Sequence, residues 1–269
     1  MRRAILPVAL PALMFLVVAP AGAITDGYPD GSGHPMVGAL VWYDPELDAK
    51  DWFCSGSLLS PTVFLTAAHC LAWATEEEQL WVTFDPEFDA INGVFVPVDD
   101  WTLNPQWSYS SWVSPDMAVI TFATDDAVIL DDYAKLPYLG QLDDMKADGS
   151  LRSQSFTNVG YGCWINRGGG GGRPTYECDG VRRYSTSTYG SLTPVWLRLN
   201  QNPNSVEGQG GIGGGDSGGP HFLADTFTTV ASTVWSASWA AGPSFHVRLD
   251  TPAAQEFLND FVAVPEPPR

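Results

Sequence analysis

GIGGGDSGGP, residues 211–220, sets one serine, Ser217, among closely spaced glycines. Glycine lets a chain turn sharply and lets backbone N–H groups come close to a bound carbonyl, so a serine in this setting reads as a nucleophile. A hydroxyl attacks poorly near neutral pH and needs a neighbouring base to take its proton. Only four histidines are available for that role. His69 closes the apolar run FLTAAHC at 64–70, next to Cys70, where a strand, a loop and a half-cystine would keep its ring still. His34 and His221 adjoin prolines, and His246 lies in a short strand pattern; these three read as structural.

An imidazole base needs a carboxylate that fixes its tautomer and stabilises it once protonated. Asp116 fits. In SPDMAVITF, 114–122, it follows a Ser-Pro turn and opens a strong apolar run, which predicts a partly buried acid in need of a partner. Other acids sit in polar clusters, such as Asp99 with Asp100 and Asp125 with Asp126.

Working outward, the 269 residues carry 27 glycines and 21 prolines, with short apolar runs between turn residues. That pattern predicts an all-β chain of many short strands. Strands are expected at 36–43, 63–66, 80–84, 94–98 and 117–122, and again at 156–160, 195–199, 221–223, 228–235 and 244–247. The acidic, irregular stretch 131–150 reads as a linker between two halves. Near the end, TPAAQEFLNDFV at 251–262 has helical spacing, with Ala254, Phe257, Leu258 and Phe261 on one face and Thr251 placed to cap it.

Residues 1–23 differ from everything after them. Arg2 and Arg3 precede an apolar run broken by Pro7, Pro11 and Pro20, and small residues follow at Ala19, Ala21 and Ala23. This is the pattern of a signal peptide, so export to the outside or the periplasm is expected, with no membrane anchor in the mature form. Cleavage after Ala21 or after Ala23 both fit. A net charge of −18 makes nucleic acid an unfavourable partner. Four cysteines in an exported chain predict two disulfides out of three possible pairings; proximity favours Cys54 with Cys70 and Cys163 with Cys178. No CxxC and no HExxH occurs, so no metal site is expected.

CSGSLLSPTVFLTAAHC, PDMAVITF and GDSGGP resemble the three signature regions of the chymotrypsin/trypsin family, in that family's order of His, Asp and Ser. The resemblance spans nearly all of 24–262. It implies a serine endopeptidase acting on polypeptides without a cofactor, built as two six-stranded antiparallel β-barrels with a C-terminal helix. The first barrel would take about 24–130, the second about 150–250, the helix about 251–262, and 263–269 would be a Pro-rich tail. His69, Asp116 and Ser217 would form the catalytic triad, and the N–H groups of Gly215 and Ser217 the oxyanion hole. The family becomes active when a new N-terminal Ile or Val pairs its ammonium with the acid before the catalytic serine; here ITDG begins at Ile24, directly after Ala23, and that acid is Asp216.

The chain departs from the family pattern around the substrate pocket. The cysteine pair that often staples it is missing, with Gly213 at one of the two places. Gly211 stands where trypsin-like members keep an acid, so cleavage after Lys or Arg is not expected. By similarity, Val234, Trp235, Ser236 and Ser244 would line the pocket with small or apolar groups. Ser217 also satisfies GxSxG, but too little chain follows it for an α/β-hydrolase, and the strand and helix alternation of that fold is absent.

Overall fold

The computed structural model describes residues 24–25, 27–75, 77–166, 175–201, 210–224, 226–236 and 242–268. The expected signal peptide and the glycine run 168–172 lie outside them. Among the described residues no helix is long and apolar enough to cross a membrane.

The regular structure of the described residues is mostly antiparallel sheet. In the first half, the strand order runs Val96–Pro97, Leu80–Thr83, Val37–Asp44, Ala49–Ser60, Val63–Thr66, Ala118–Thr121, Asp100–Leu103. This sheet is curled and carries the larger apolar core, with Leu40, Leu58, Phe64, Val82 and Ile120 fully buried. In the second half, Arg183–Leu192, Trp196–Asn200, Ser244–Arg248, Thr229–Ser236, Pro220–Leu223 and Ser155–Gly160 follow one another around a closed six-stranded barrel. Pairing of Arg183–Leu192 with Ser155–Gly160 closes the ring, and Tyr28–Pro29 adds to its outside.

Most expected strands are present within a residue or two of their predicted ends. The long strands Ala49–Ser60 and Arg183–Leu192 are additions. Arg183–Leu192, RYSTSTYGSL, escapes an apolar search because it turns serines inward: Ser185 and Ser187 are buried and take hydrogen bonds from Asn158 Nδ2 at 3.1 and 2.6 Å. The stretch 131–150 is not irregular throughout. It holds the helix Gln141–Ala147, which follows Gly140 in a left-handed conformation and buries Leu142. The C-terminal helix is shorter than expected, Pro252–Leu258, and Thr251 Oγ1 caps it by accepting the Ala254 N–H at 3.3 Å. Its apolar face packs Ala254, Phe257 and Leu258 against Val63, Leu65, Met117 and Val119 of the first sheet and Val247 of the second. Val264 of the tail joins the same cluster.

Candidate active site

His69 lies in the short helix Ala68–Leu71 that follows strand Val63–Thr66, and Asp116 lies two residues before strand Ala118–Thr121. Those two strands pair directly, which brings Thr66 opposite Ala118 and the two side chains together. Asp116 engages His69 twice: the His69 backbone N–H donates to Oδ1 at 2.9 Å, and ring Nδ1 meets Oδ2 at 2.7 Å. A carboxylate at Nδ1 fixes the proton there and leaves Nε2 as an acceptor. The Asp116 side chain is 9% exposed and that of His69 28%, so the acid is sheltered while the base still reaches solvent. The disulfide Cys54–Cys70 ties the residue after His69 to strand Ala49–Ser60.

Ser217 comes from the turn before strand Pro220–Leu223, and its carbonyl accepts the Ser55 N–H at 2.8 Å across the two halves. It sits in a hollow of about 170 Å³ with Ile212, Gly213, Gly214, Thr233, Val234, Trp235 and Ser236. An adjoining hollow holds His69 and Asp116 and shares Val234 and Trp235 with the first. The Ser217 hydroxyl makes no hydrogen bond among the described residues, so it does not donate to His69 here. Such bonds are often long before substrate arrives.

The loop around Ser217 is shaped by backbone contacts. Cys163 N–H donates to Gly214 O at 2.6 Å. Because a trans peptide points its N–H opposite to its C=O, this bond turns the Gly215 N–H away from Cys163. Neither that N–H nor that of Ser217 has an acceptor among the described residues. Gly215 has φ +95°, a conformation that side-chain-bearing residues avoid. Gly162 is required by proximity, since a Cβ there would lie 2.4 Å from Asp216 Cγ.

Asp216 is buried, and its oxygens accept Gly162 N–H and Gly213 N–H, each at 2.8 Å. Burial pushes its carboxyl up to about 7, against the opposing pull of these amides and of the Arg183 charge. Among the described residues the hydrogen-bond partners of Asp216 are these two amides, and Ile24 carries a backbone amide here and not the free ammonium of the expected pairing. The segment is nevertheless seated: Ile24 is 1% exposed, and Thr25 exchanges backbone hydrogen bonds with Gly211 at 2.9 and 3.0 Å. Ile24 has φ +48°, a strained conformation for a β-branched residue.

Of the expected pocket residues, Val234, Trp235 and Ser236 line the hollow beside Ser217. Gly211 and Ser244 are not on its described wall. Gly211 is occupied by Thr25, and the buried Ser244 hydroxyl meets His246 Nε2 at 2.5 Å. His221 and His246 are likewise interior: burial takes His221 down to about 3 and lowers His246 well below the ordinary histidine range. Both disulfides pair as proximity favoured, Cys54–Cys70 and Cys163–Cys178. The structure adds Trp107, Tyr109, Trp112 and Trp196 around the His69 hollow, with Trp196 Nε1 donating to Trp112 O at 2.9 Å across the two halves. Spacing alone gives no sign that these residues meet.

Residues 30–254 match the sequence profile of the family described as Trypsin. The chain belongs to the trypsin family. That membership makes the protein a serine endopeptidase, a hydrolase of peptide bonds. In fold it is similar to the solved structure of HL collagenase, at 16% identity and a TM-score of 0.65, covering 88% of this chain and 98% of that one. No curated protein matches the sequence significantly.

Proposed function

We propose that the protein is an exported endopeptidase that works through Ser217, His69 and Asp116. The observation that carries this is the double engagement of His69 by Asp116, which leaves Nε2 unprotonated beside the hollow that holds Ser217. Ser217 Oγ attacks the scissile carbonyl as His69 Nε2 takes its proton. The oxyanion is received by the free N–H groups of Gly215 and Ser217, donors worth about 3 to 4 kcal/mol each at comparable sites. His69 then protonates the leaving amine, and water, activated by the same base, hydrolyses the acyl-enzyme.

Removal of residues 1–23 would complete the site. A free Ile24 ammonium beside the buried Asp216 favours the ionised carboxylate. Cutting the 23–24 bond also removes the carbonyl that defines the φ torsion of Ile24, and the strain with it. Two disulfides suit an oxidising compartment. No charged side chain lines the described wall of the Ser217 hollow, which favours an uncharged residue before the cut over Lys or Arg.

A fluorophosphonate probe tests the catalytic assignment on protein that begins at Ile24. Stoichiometric labelling at Ser217, lost in Ser217→Ala together with peptide hydrolysis, is the expected result. Hydrolysis that survives Ser217→Ala would overturn it. Cleavage of a peptide library should then show uncharged residues before the cut, and dominant cleavage after Lys or Arg would reject that specificity.

A further inference from the structure

Arg182 is among the largest fully buried side chains, and every nitrogen of its guanidinium is used. Nε donates to Asp30 Oδ2 at 2.8 Å, and Nη2 to Gly31 O at 2.6 Å, which fastens the segment leading from Ile24. Nη1 donates to Val37 O at 3.0 Å and Phe84 O at 2.9 Å in the first half. The same Nη1 donates to Tyr161 Oη at 3.2 Å. Asp30 is itself clamped, with the His34 N–H on Oδ2 at 2.9 Å and His34 Nδ1 on Oδ1 at 2.5 Å. An arginine that spreads its three nitrogens over five partners has geometric requirements that lysine cannot meet.

Tyr161 is where this network meets the site. Its hydroxyl donates to Asp85 O at 2.7 Å, its carbonyl accepts Trp52 Nε1 at 2.9 Å, and its N–H donates to Ser55 Oγ at 3.0 Å. Ser55 Oγ in turn donates to Gly215 O at 2.8 Å. The next residue, Gly162, holds Asp216, and the one after, Cys163, holds Gly214. Three consecutive residues thus brace three consecutive residues of the loop that presents the free amides.

We infer that Arg182, held by Asp30, is a positioning residue: it fixes Tyr161 and so sets the Gly215 and Ser217 amides, linking the seating of the 24–31 segment to the oxyanion site. It touches no reacting atom. This rests on the proposed roles of Ser217 and the two amides.

The test uses the processed enzyme with Tyr161→Phe, which keeps the ring and removes only the hydroxyl, and with Arg182→Lys, which keeps the charge and loses the fork. Both are normalised to fluorophosphonate-titrated sites. The expected result is a fall in kcat of about 10-fold for Tyr161→Phe and more for Arg182→Lys, with KM nearly unchanged. Affinity for a peptide aldehyde, whose adduct places an oxyanion among the amides, should fall in step with kcat, while affinity for the product peptide and the apparent pKa of kcat/KM stay put. A loss of thermal stability with kcat and aldehyde affinity intact per titrated site would overturn the inference and show a merely structural network. Should Arg182→Lys fail to fold, Tyr161→Phe decides alone. Failure of the catalytic assignment looks different: the wild-type enzyme would then not label at Ser217.

Discussion

Asp116 and Asp216 are both buried acids of the candidate site, and they are satisfied in opposite ways. Asp116, in the first half, spends both oxygens on one residue, His69, through its backbone and its ring. The strand pair Val63–Thr66 and Ala118–Thr121 brings them together, so the first half alone assembles this pair. Asp216, in the second half, is held by two backbone amides with no cation hydrogen-bonded to it among the described residues, and its carboxyl rises to about 7. One half is preassembled by sheet pairing. The other is a loop built around a buried carboxyl that two amides and the more distant Arg183 charge do not hold in its ionised form.

The contrast is broken most sharply at Asp116. Asp116→Asn conserves volume but offers an amide N–H to His69 Nδ1, which forces the other tautomer and removes the acceptor at Nε2. A fall of about 10⁴ in kcat is expected, with little change in KM for a peptide substrate. A fall under 10-fold would mean that His69 is not the base. Retaining residue 23 should cost less, because the first half stays intact. Protein with Ala23 still attached should lose about 10² to 10³ in kcat/KM against protein starting at Ile24, the scale of losing an oxyanion donor. Equal activities of the two forms would detach Asp216 from activation.

The same contrast predicts a pH dependence of stability for the unprocessed chain. An aspartate of ordinary pKa is ionised in the unfolded state above about pH 4. The folded state keeps the Asp216 proton up to about 7. Between those values the folded state binds the extra proton, so stability falls as pH rises. Asp216 is fully buried, and the difference should be about 3 kcal/mol between pH 4.5 and 7.5, read as a shift in urea midpoint relative to Asp216→Asn. Processing should flatten this slope, because the Ile24 ammonium then favours the ionised carboxylate. An unchanged slope after processing would argue against the pairing.

What could be read from sequence divides along the same line. His69, Asp116 and Ser217 announce themselves through apolar runs and glycines on either side, and strand Val63–Thr66 has its predicted ends. Strand Arg183–Leu192 was hidden because the second barrel fills part of its interior with Ser185, Ser187, Asn158 and His221 joined by hydrogen bonds. An alternation of serine and threonine carries no apolar period. Gly211 and Ser244 come to the pocket by similarity alone, and the described wall of the Ser217 hollow does not include them. Arg182 and Tyr161 gave no local signal. Their importance depends on partners between 21 and 152 positions away, such as each other and Asp30, which no spacing rule connects.

Ser55 bridges the two halves, and it sharpens the comparison with the smallest expected effect. Its hydroxyl donates to Gly215 O and accepts the Tyr161 N–H, while its backbone N–H donates to Ser217 O. Ser55→Ala leaves the backbone bond in place and orphans the half-buried Gly215 carbonyl and the buried Tyr161 N–H, at a cost of about 1 to 3 kcal/mol in stability. If the first half only supports the loop, kcat should fall about 5- to 10-fold through a loosened Gly215, with the pH profile of kcat/KM unaltered. A shift of that profile would show that the halves communicate through the base as well as through the amides, and the division between a finished half and a dependent one would have to be given up.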